Sequence, residues 1–300
     1  MDLTKPSELK TVLLRHGLHL SKRFGQNFLT SRSHLLKVVE AANVQAGDRV
    51  FEIGPGAGTL TVELAERAER VVAVELDRAL PPVLAEVLAP FPHATLFMGD
   101  ALKLDLPVFL REHLGEPPYK VVANIPYNIT SPILIRLLEN KALFISITLM
   151  VQKEVAERLR ATPGTAAYGS LSVFAQYQAE VSVAGIVPRG AFFPPPKVDS
   201  AVIHLIPRPV PPVDVPSDAA FFRVSRAVFG QRRKTLANAL MGASPGAFPK
   251  EDVATALAAT GIDGSRRGET LTLAEIATLT RALPVAETTV EPFDTGGPGG

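Results

Sequence analysis

Val50-Phe51-Glu52-Ile53-Gly54-Pro55-Gly56-Ala57-Gly58-Thr59 reads as a buried strand, a glycine loop and the first turn of a helix. Glycine tolerates the left-handed backbone that a sharp strand-to-helix turn needs, and its missing side chain lets the main chain approach a ligand. The next apolar run, Val71-Val72-Ala73-Val74-Glu75, ends in an acid about twenty residues further on, where a carboxylate can accept both hydroxyls of a ribose. A glycine loop alone is a weak signal. Loop and strand-end acid together point to a cofactor that contains a nucleoside. The dinucleotide pattern G-x-G-x-x-G is not met, because Gly58 comes one residue early and Thr59 follows it. A nicotinamide oxidoreductase is therefore the disfavoured alternative.

Outward from this unit the chain keeps alternating. Apolar, β-rich runs occur at 49–53, 71–75, 94–98, 121–124, 145–151, 180–187 and 200–206, the earlier ones separated by helical patterns. Such alternation predicts βαβ units in a Rossmann-like α/β sheet, mostly parallel. The last two runs flank a Pro-rich loop and are expected to pair antiparallel at the sheet edge. Upstream, one helix is expected from Ser7, with its hydroxyl as N-cap, to His16, and a second from Ser31 to Ala42. Repeated proline between 208 and 217 forbids a helix or central strand and marks a linker. The expected organisation is a cofactor-binding domain over 1–207 with an N-terminal cap segment, the 208–217 linker and a small all-α domain over 218–285. A Gly-rich tail, 286–300, is expected to be disordered.

Composition narrows the function classes. At 300 residues, 46% hydrophobic and 20% charged, the chain can bury a large core. The absence of Cys excludes disulfides, thiolate zinc sites and a Cys nucleophile. The start is polar and the longest apolar stretch, 142–151, is too short to cross a bilayer, so a cytoplasmic protein with no membrane partner is expected. His16 and His19 share a helical spacing without ligating partners, and no metal is expected. The net charge of +1 does not announce a polyanion partner, but two basic blocks flanking a neutral middle are placed to form a phosphate-binding surface, with ordinary solvated helix faces as the alternative. Arg223, Arg226, Arg232, Arg233 and Lys234 lie in one acid-free stretch, and Lys5, Lys10, Arg15, Lys22, Arg23, Arg32 and Lys37 crowd the first forty residues.

Two further strand ends carry chemistry. The third run ends in Gly99-Asp100-Ala101, where Asp100 can accept from an adenine amine beside the Ala101 backbone. Glu52 stands two residues before Gly54, and acid-x-G-x-G-x-G, then Glu, then Gly-Asp-Ala is the layout of S-adenosylmethionine sites. The fourth run, from Tyr119, closes on Asn124-Ile125-Pro126-Tyr127. An Asn amide oxygen and a backbone carbonyl can accept from an exocyclic amine, a proline fixes the turn, and a Tyr ring can stack on a base.

With these motifs in order the chain resembles the ribosomal RNA adenine N6-dimethyltransferases, specifically the small-subunit branch that modifies two adjacent adenosines. The resemblance runs from about Lys22 to Leu240. It rests on Phe24-Gly-Gln-Asn-Phe-Leu, Glu52-Ile-Gly-Pro-Gly-Ala-Gly, Val74-Glu75, Gly99-Asp100-Ala101, Asn124-Ile-Pro-Tyr-Asn, Phe192-Phe-Pro-Pro-Pro-Lys-Val-Asp-Ser and Phe229-Gly-Gln-Arg-Arg-Lys. It implies a seven-stranded class I methyltransferase sheet, an N-terminal segment over the cofactor and a helical C-terminal domain that helps hold RNA. It implies S-adenosylmethionine contacts at Gln26, Asn27, Leu29, Gly54, Glu75, Asp100 and Asn124, to which the residue reading adds Gly56 and Ala101.

The expected reaction is transfer of methyl groups to N6 of two adjacent adenosines of small-subunit ribosomal RNA, within the immature 30S particle, by a monomer. Asn124, Pro126 and Tyr127 are the expected catalytic residues, with no His or Lys base. Phe192 and Phe193 are placed on the far wall of the base pocket. Lys22, Arg23, Arg232, Arg233 and Lys234 are placed on RNA phosphates. Two alternatives stay open: the large-subunit branch associated with macrolide resistance, and an assembly factor whose methylation is secondary.

Overall fold

The computed structural model describes residues 1–18, 26–242 and 247–284. In chain order its elements are α1 (Pro6–Arg15), α2 (Arg32–Ala42), β1 (Arg49–Ile53), α3 (Thr59–Ala65), β2 (Arg70–Glu75), α4 (Pro81–Leu88), β3 (Ala94–Met98), α5 (Leu106–Leu114), β4 (Tyr119–Asn124), α6 (Thr130–Glu139), β5 (Phe144–Gln152), α7 (Lys153–Leu159), α8 (Ser170–Gln178), β6 (Ala179–Val187), β7 (Ser200–Pro207), α9 (Asp218–Phe229), α10 (Leu236–Gly242), α11 (Lys250–Thr260) and α12 (Leu273–Ala282). They form two compact units: Met1–Ala156 with Glu180–Pro207, and Glu157–Ala179 with the described residues from Arg208 onward.

The first unit is built on one seven-stranded sheet of order β3-β2-β1-β4-β5-β7-β6. β1 to β5 are parallel, and β7 enters antiparallel between β5 and β6. β1, β2 and β4 lie inside the sheet. Their Val, Ile, Ala and Phe side chains are buried on both faces, which is why they read as unbroken apolar runs rather than alternating ones. β3 is the edge, and Met98, which reads as core in the sequence, is 43% exposed there. The strand order reverses between β1 and β4, so the crevice at their carboxyl ends is where an open α/β sheet accommodates a ligand.

Two apolar clusters pack beside this crevice. In the first, Leu35, Val38 and Val39 of α2 pack with Val50, Val122, Met150 and Val202. In the second, Leu9, Val12 and Leu13 of α1 pack with Phe28 and with Leu80, Val83, Leu84 and Val87 of α4. The helix α1 starts at Pro6, not with a Ser7 cap. Proline's fixed φ suits the first helical position, and no side chain caps the end. His16 Nε2 meets Glu86 Oε2 at 2.7 Å, and Arg15 pairs with the same carboxylate, which ties α1 to α4. Phe28 and Leu29 form a short antiparallel ladder with Phe193 and Phe192, and Thr30 N donates to Ala191 O at 2.8 Å. This ladder fixes the Gln26-Asn27 segment in place.

The second unit is helical. Tyr177 of α8 stacks on Phe221 of α9, with ring centroids 4.3 Å apart at 21°, and its hydroxyl donates to Asp218 Oδ1 at 2.5 Å. This aromatic packing groups residues 157–179 with the C-terminal helices, whereas the sequence pattern places them with the sheet. Ser217 caps α9 by accepting from Ala220 N, and Thr272 and Glu275 form a capping box on α12.

Candidate active site

The glycine loop turns the chain through positive φ three times, at Gly54 (+69°), Gly56 (+58°) and Gly58 (+87°). Only the first two open on the crevice. Gly58 instead closes the loop on α4: a Cβ there would lie 3.0 Å from Val87 Cγ1 and 3.1 Å from Leu84 Cδ2. Gly58→Val is therefore expected to cost about 2–5 kcal/mol, from left-handed strain plus overpacking. Urea denaturation measures it, and a loss below about 0.5 kcal/mol contradicts this packing role.

Three acids reach the crevice, each held differently. Glu75 ends β2 with 7% exposure. Its Oε1 accepts from Leu76 N and Asp77 N, both at 2.8 Å, and its Oε2 from Gly56 N at 3.2 Å. Burial raises its pKa above the ordinary carboxylate value, against the lowering effect of those three N–H groups. Asp100 spends Oδ1 on Leu102 N at 3.0 Å, the turn role open to any Asp at this point, and still lines the crevice. Glu52, at the end of β1, is 1% exposed, and its Oε2 has no hydrogen-bond partner among the described residues. Burial pushes it up to about 8, and the Glu75 charge adds to the effect. Thr61 is near enough to oppose this, though its hydroxyl makes no hydrogen bond of ordinary geometry.

Beyond β4, Pro126 continues the chain into a single 3₁₀ turn, Tyr127–Ile129. Asn124 Nδ2 donates to Asn27 O at 3.3 Å, which leaves Oδ1 as the acceptor. The Pro126 carbonyl accepts from Ile129 N at 3.1 Å and Thr130 Oγ1 at 3.5 Å, so of the Ile125 and Pro126 carbonyls that follow Asn124, the one left over among the described residues is that of Ile125. The Tyr127 hydroxyl shares a 2.6 Å hydrogen bond with Ser200 Oγ at the start of β7. Burial raises the Tyr127 pKa, so the phenol is neutral. Gln26 Nε2 donates to Asp77 Oδ2 at 2.8 Å, which ties the N-terminal segment to the loop after β2.

One cleft gathers Gln26, Asn27, Leu29, Gly54, Gly56, Glu75, Asp100, Ala101, Asn124, Pro126 and Tyr127. Sequence patterning missed the apolar part of its lining. Leu35 and Val38 of α2 and Met150 of β5 lie in the lining, and so does Leu76, which is 54% exposed beside Glu75. The signal for Leu76 was a leucine directly after a strand-end acid. α2 gives no such signal, because its apolar spacing is that of any amphipathic helix.

Phe192 and Phe193 are not in this lining. Phe192 is 3% exposed within the α2-side cluster, because its ladder pairing with Leu29 turns it inward. Phe193 packs at the α1 side, with Lys10 Nζ 4.4 Å from its ring centroid. Lys22, Arg23 and His19 lie outside the described residues. In the helical unit, Arg232 donates to Ala166 O at 3.0 Å and lies 4.0 Å from Glu269, whereas Arg233 and Lys234 are exposed and carry no ion pair among the described residues. His204 shares a 2.8 Å hydrogen bond with Thr148 and plays a structural part. Among the described residues no group of three or more His, Asp or Glu is placed to hold a metal, and no helix is long and apolar enough to cross a membrane.

A sheet of this order, with acids and glycines at the carboxyl ends of its first three strands, is the class I methyltransferase fold. A dimethyladenosine transferase from Plasmodium falciparum shares it at a TM-score of 0.71, with 26% identity over 84% of this chain and 95% of the other. The 23S rRNA methyltransferase ErmE aligns at a TM-score of 0.64, with 29% identity over 86% and 99%. Proteins from Geobacillus kaustophilus and Bacillus mycoides, both named ribosomal RNA small subunit methyltransferase A, are each 46% identical over 94% of this chain and 97% of theirs. The family model for ribosomal RNA adenine dimethylase matches residues 17–279. The chain belongs to the ribosomal RNA adenine dimethylase family, and it is an enzyme, a methyltransferase.

Proposed function

We propose that the chain transfers methyl groups from S-adenosylmethionine to N6 of two adjacent adenosines of small-subunit ribosomal RNA, yielding N6,N6-dimethyladenosines in the cytoplasm. The higher identity to the small-subunit enzymes (46%) than to the 23S enzyme (29%) favours that target. The observation that carries the reading is contact between the two halves of the cleft. A Cβ at Gly54 would sit 3.7 Å from Pro126 Cδ, so the glycine loop and the Asn124–Tyr127 turn share one wall.

The residues fit the donor. Gly54 and Gly56 leave a cradle without side chains, Glu75 and Asp100 offer carboxylate oxygens, and Glu52 presents a buried oxygen without a partner among the described residues. Gln26, Asn27, Leu29, Gly54, Gly56, Glu75, Asp100, Ala101 and Asn124 would hold it. When bound, S-adenosylmethionine supplies an electrophilic methyl group on a sulfonium sulfur. The chain's own task is to position the nucleophile, which is poor because the N6 lone pair is delocalised into the ring. Asn124 Oδ1 and the Ile125 carbonyl accept hydrogen bonds from the N6–H groups, which favours a pyramidal nitrogen with its lone pair free, and the methylated nitrogen then loses one proton to solvent. Tyr127, neutral and pinned by Ser200, stacks on the base and fixes its plane. The base must leave its stack to enter, as in other base-modifying enzymes.

Arg233 and Lys234, exposed and without an ion pair among the described residues, are the phosphate contacts of the helical unit. Replacing both with Ala is expected to lower the magnitude of the salt slope of RNA binding by roughly 1.5–2. Arg232→Ala adds less to that slope and also loosens the helical unit, because its guanidinium serves Ala166 and Glu269. An unchanged slope in the double variant contradicts the contact. The function itself is tested with labelled donor and purified, undermethylated ribosomal subunits. Label is expected at two adjacent adenosines of the small-subunit RNA, and label confined to large-subunit RNA overturns the target.

A further inference from the structure

The first unit buries acids in three ways. Glu63 is 3% exposed and is paired with Arg32 and Arg67, each at 2.9 Å. Glu75 is answered by three backbone N–H groups. Glu52, the most deeply buried of them, has neither: no ion pair and no hydrogen bond to Oε2 among the described residues. It nevertheless lines the cleft. An isolated buried carboxylate is costly, so such a group stays protonated until a cation arrives.

Among the described residues no Lys or Arg lines this cleft, which leaves that cation to the ligand. α2 contributes Leu35 and Val38 to this lining, α3 Thr59 and Leu60, β4 Asn124 and β5 Met150. The charged group that bears on Glu52 is Glu75 across β2, which repels it. A negative, largely apolar pocket with one unanswered oxygen suits a ligand that carries positive charge next to apolar atoms. A sulfonium meets that description and a thioether does not.

We propose that Glu52 is the charge sensor of the donor site: it is a neutral acid in the free protein, releases its proton to solvent when S-adenosylmethionine enters, and takes a proton back when S-adenosylhomocysteine replaces it. The inference rests on the proposed cofactor reading. In the free protein Glu52 titrates near 8, so at neutral pH its proton is present to be lost. A unit positive charge within hydrogen-bonding range lowers a carboxyl pKa by about 1–3 units, and the product has lost that charge at sulfur. Product affinity then falls relative to donor affinity as pH rises, which favours the donor–product exchange that two successive transfers require.

The test is titration calorimetry of the full chain with S-adenosylmethionine and with S-adenosylhomocysteine, in buffers of different ionisation enthalpy. At pH 7 the donor is expected to release roughly 0.5–1 proton more than the product. The donor-over-product preference is expected to rise about tenfold from pH 6 to pH 8. Glu52→Gln, which mimics the neutral acid, is expected to remove the Glu52 part of both differences and leave only what the nucleosides' own amines contribute. The sulfonium lowers the donor's α-amino pKa relative to that of the thioether product, so the amine contribution is read from Glu52→Gln and subtracted. Equal proton counts for the two nucleosides in the wild type, or differences of wild-type size in Glu52→Gln, overturn the inference while leaving the cofactor assignment standing. Failure of either nucleoside to bind overturns the assignment and the inference with it.

Discussion

Asn124→Ala is expected to lower methyl-transfer turnover by about 10²–10³-fold, the scale seen when one preorganised transition-state partner is removed. Its amide is oriented before substrate arrives, since Nδ2 donates to Asn27 O and Oδ1 is left to accept. The alanine variant loses this acceptor, and N6 then keeps its planar, delocalised lone pair. Donor binding is expected to weaken less, by under about tenfold, because Glu75, Asp100 and the glycine loop are untouched. Single-turnover kinetics with saturating donor, set beside the donor Kd, separates the two effects. Turnover near wild type contradicts the role given to Asn124. A proportionate loss of donor affinity would make it a cofactor residue alone.

The second large effect concerns stability. Glu52→Gln is expected to flatten the fall in stability of the donor-free protein between pH 5 and pH 8. Folding raises the Glu52 pKa from 4.5 to about 8. Below 4.5 both folded and unfolded states hold the proton and the acid costs nothing extra. Between 4.5 and 8 the unfolded chain has released its proton while the folded chain keeps it. Stability therefore falls as pH rises, at up to about 1.4 kcal/mol per unit, and the loss is on the order of 3–4 kcal/mol by pH 8. Glu75, also raised by burial, contributes in the same direction and remains in the variant. A buried Gln amide has its own constant cost, so the readout is the difference in pH slope, not the absolute stability. Urea denaturation at pH 5.5 and pH 8 measures it, and parallel slopes for wild type and variant contradict the isolated burial of Glu52.

What could be read in the residues follows from where the physics is local. A strand buried on both faces must be apolar throughout, so β1, β2 and β4 were visible with their ends, and the residues at those ends follow directly in sequence. That is why the amino-acid pattern alone suffices to place Gly54, Glu75, Asp100 and Asn124 together. Long-range partners left no such trace. Nothing near Asn124 announces Asn27, 97 residues away, and nothing near Tyr127 announces Ser200, 73 residues away. The same limit explains Phe192: its aromatic character suited a pocket wall, but its side is set by the ladder with Leu29. The grouping of 157–179 with the C-terminal helices depends on the packing of Tyr177 against Phe221, which local pattern does not encode. The unpartnered state of Glu52 is likewise a property of the packed cleft. Its sequence position marks only an acid before a glycine loop.

The central claim is that one cleft, rimmed by β1, β2, β3 and β4, holds donor and target base side by side. A crystal structure with S-adenosylhomocysteine and adenosine tests it most directly. The adenosyl portion of the product is expected between Gly54, Glu75 and Asp100, with its sulfur facing an adenine whose N6 lies within hydrogen-bond distance of Asn124 Oδ1 and whose ring stacks on Tyr127. Either nucleoside bound outside that cleft, or an adenine N6 turned away from Asn124, would contradict the account.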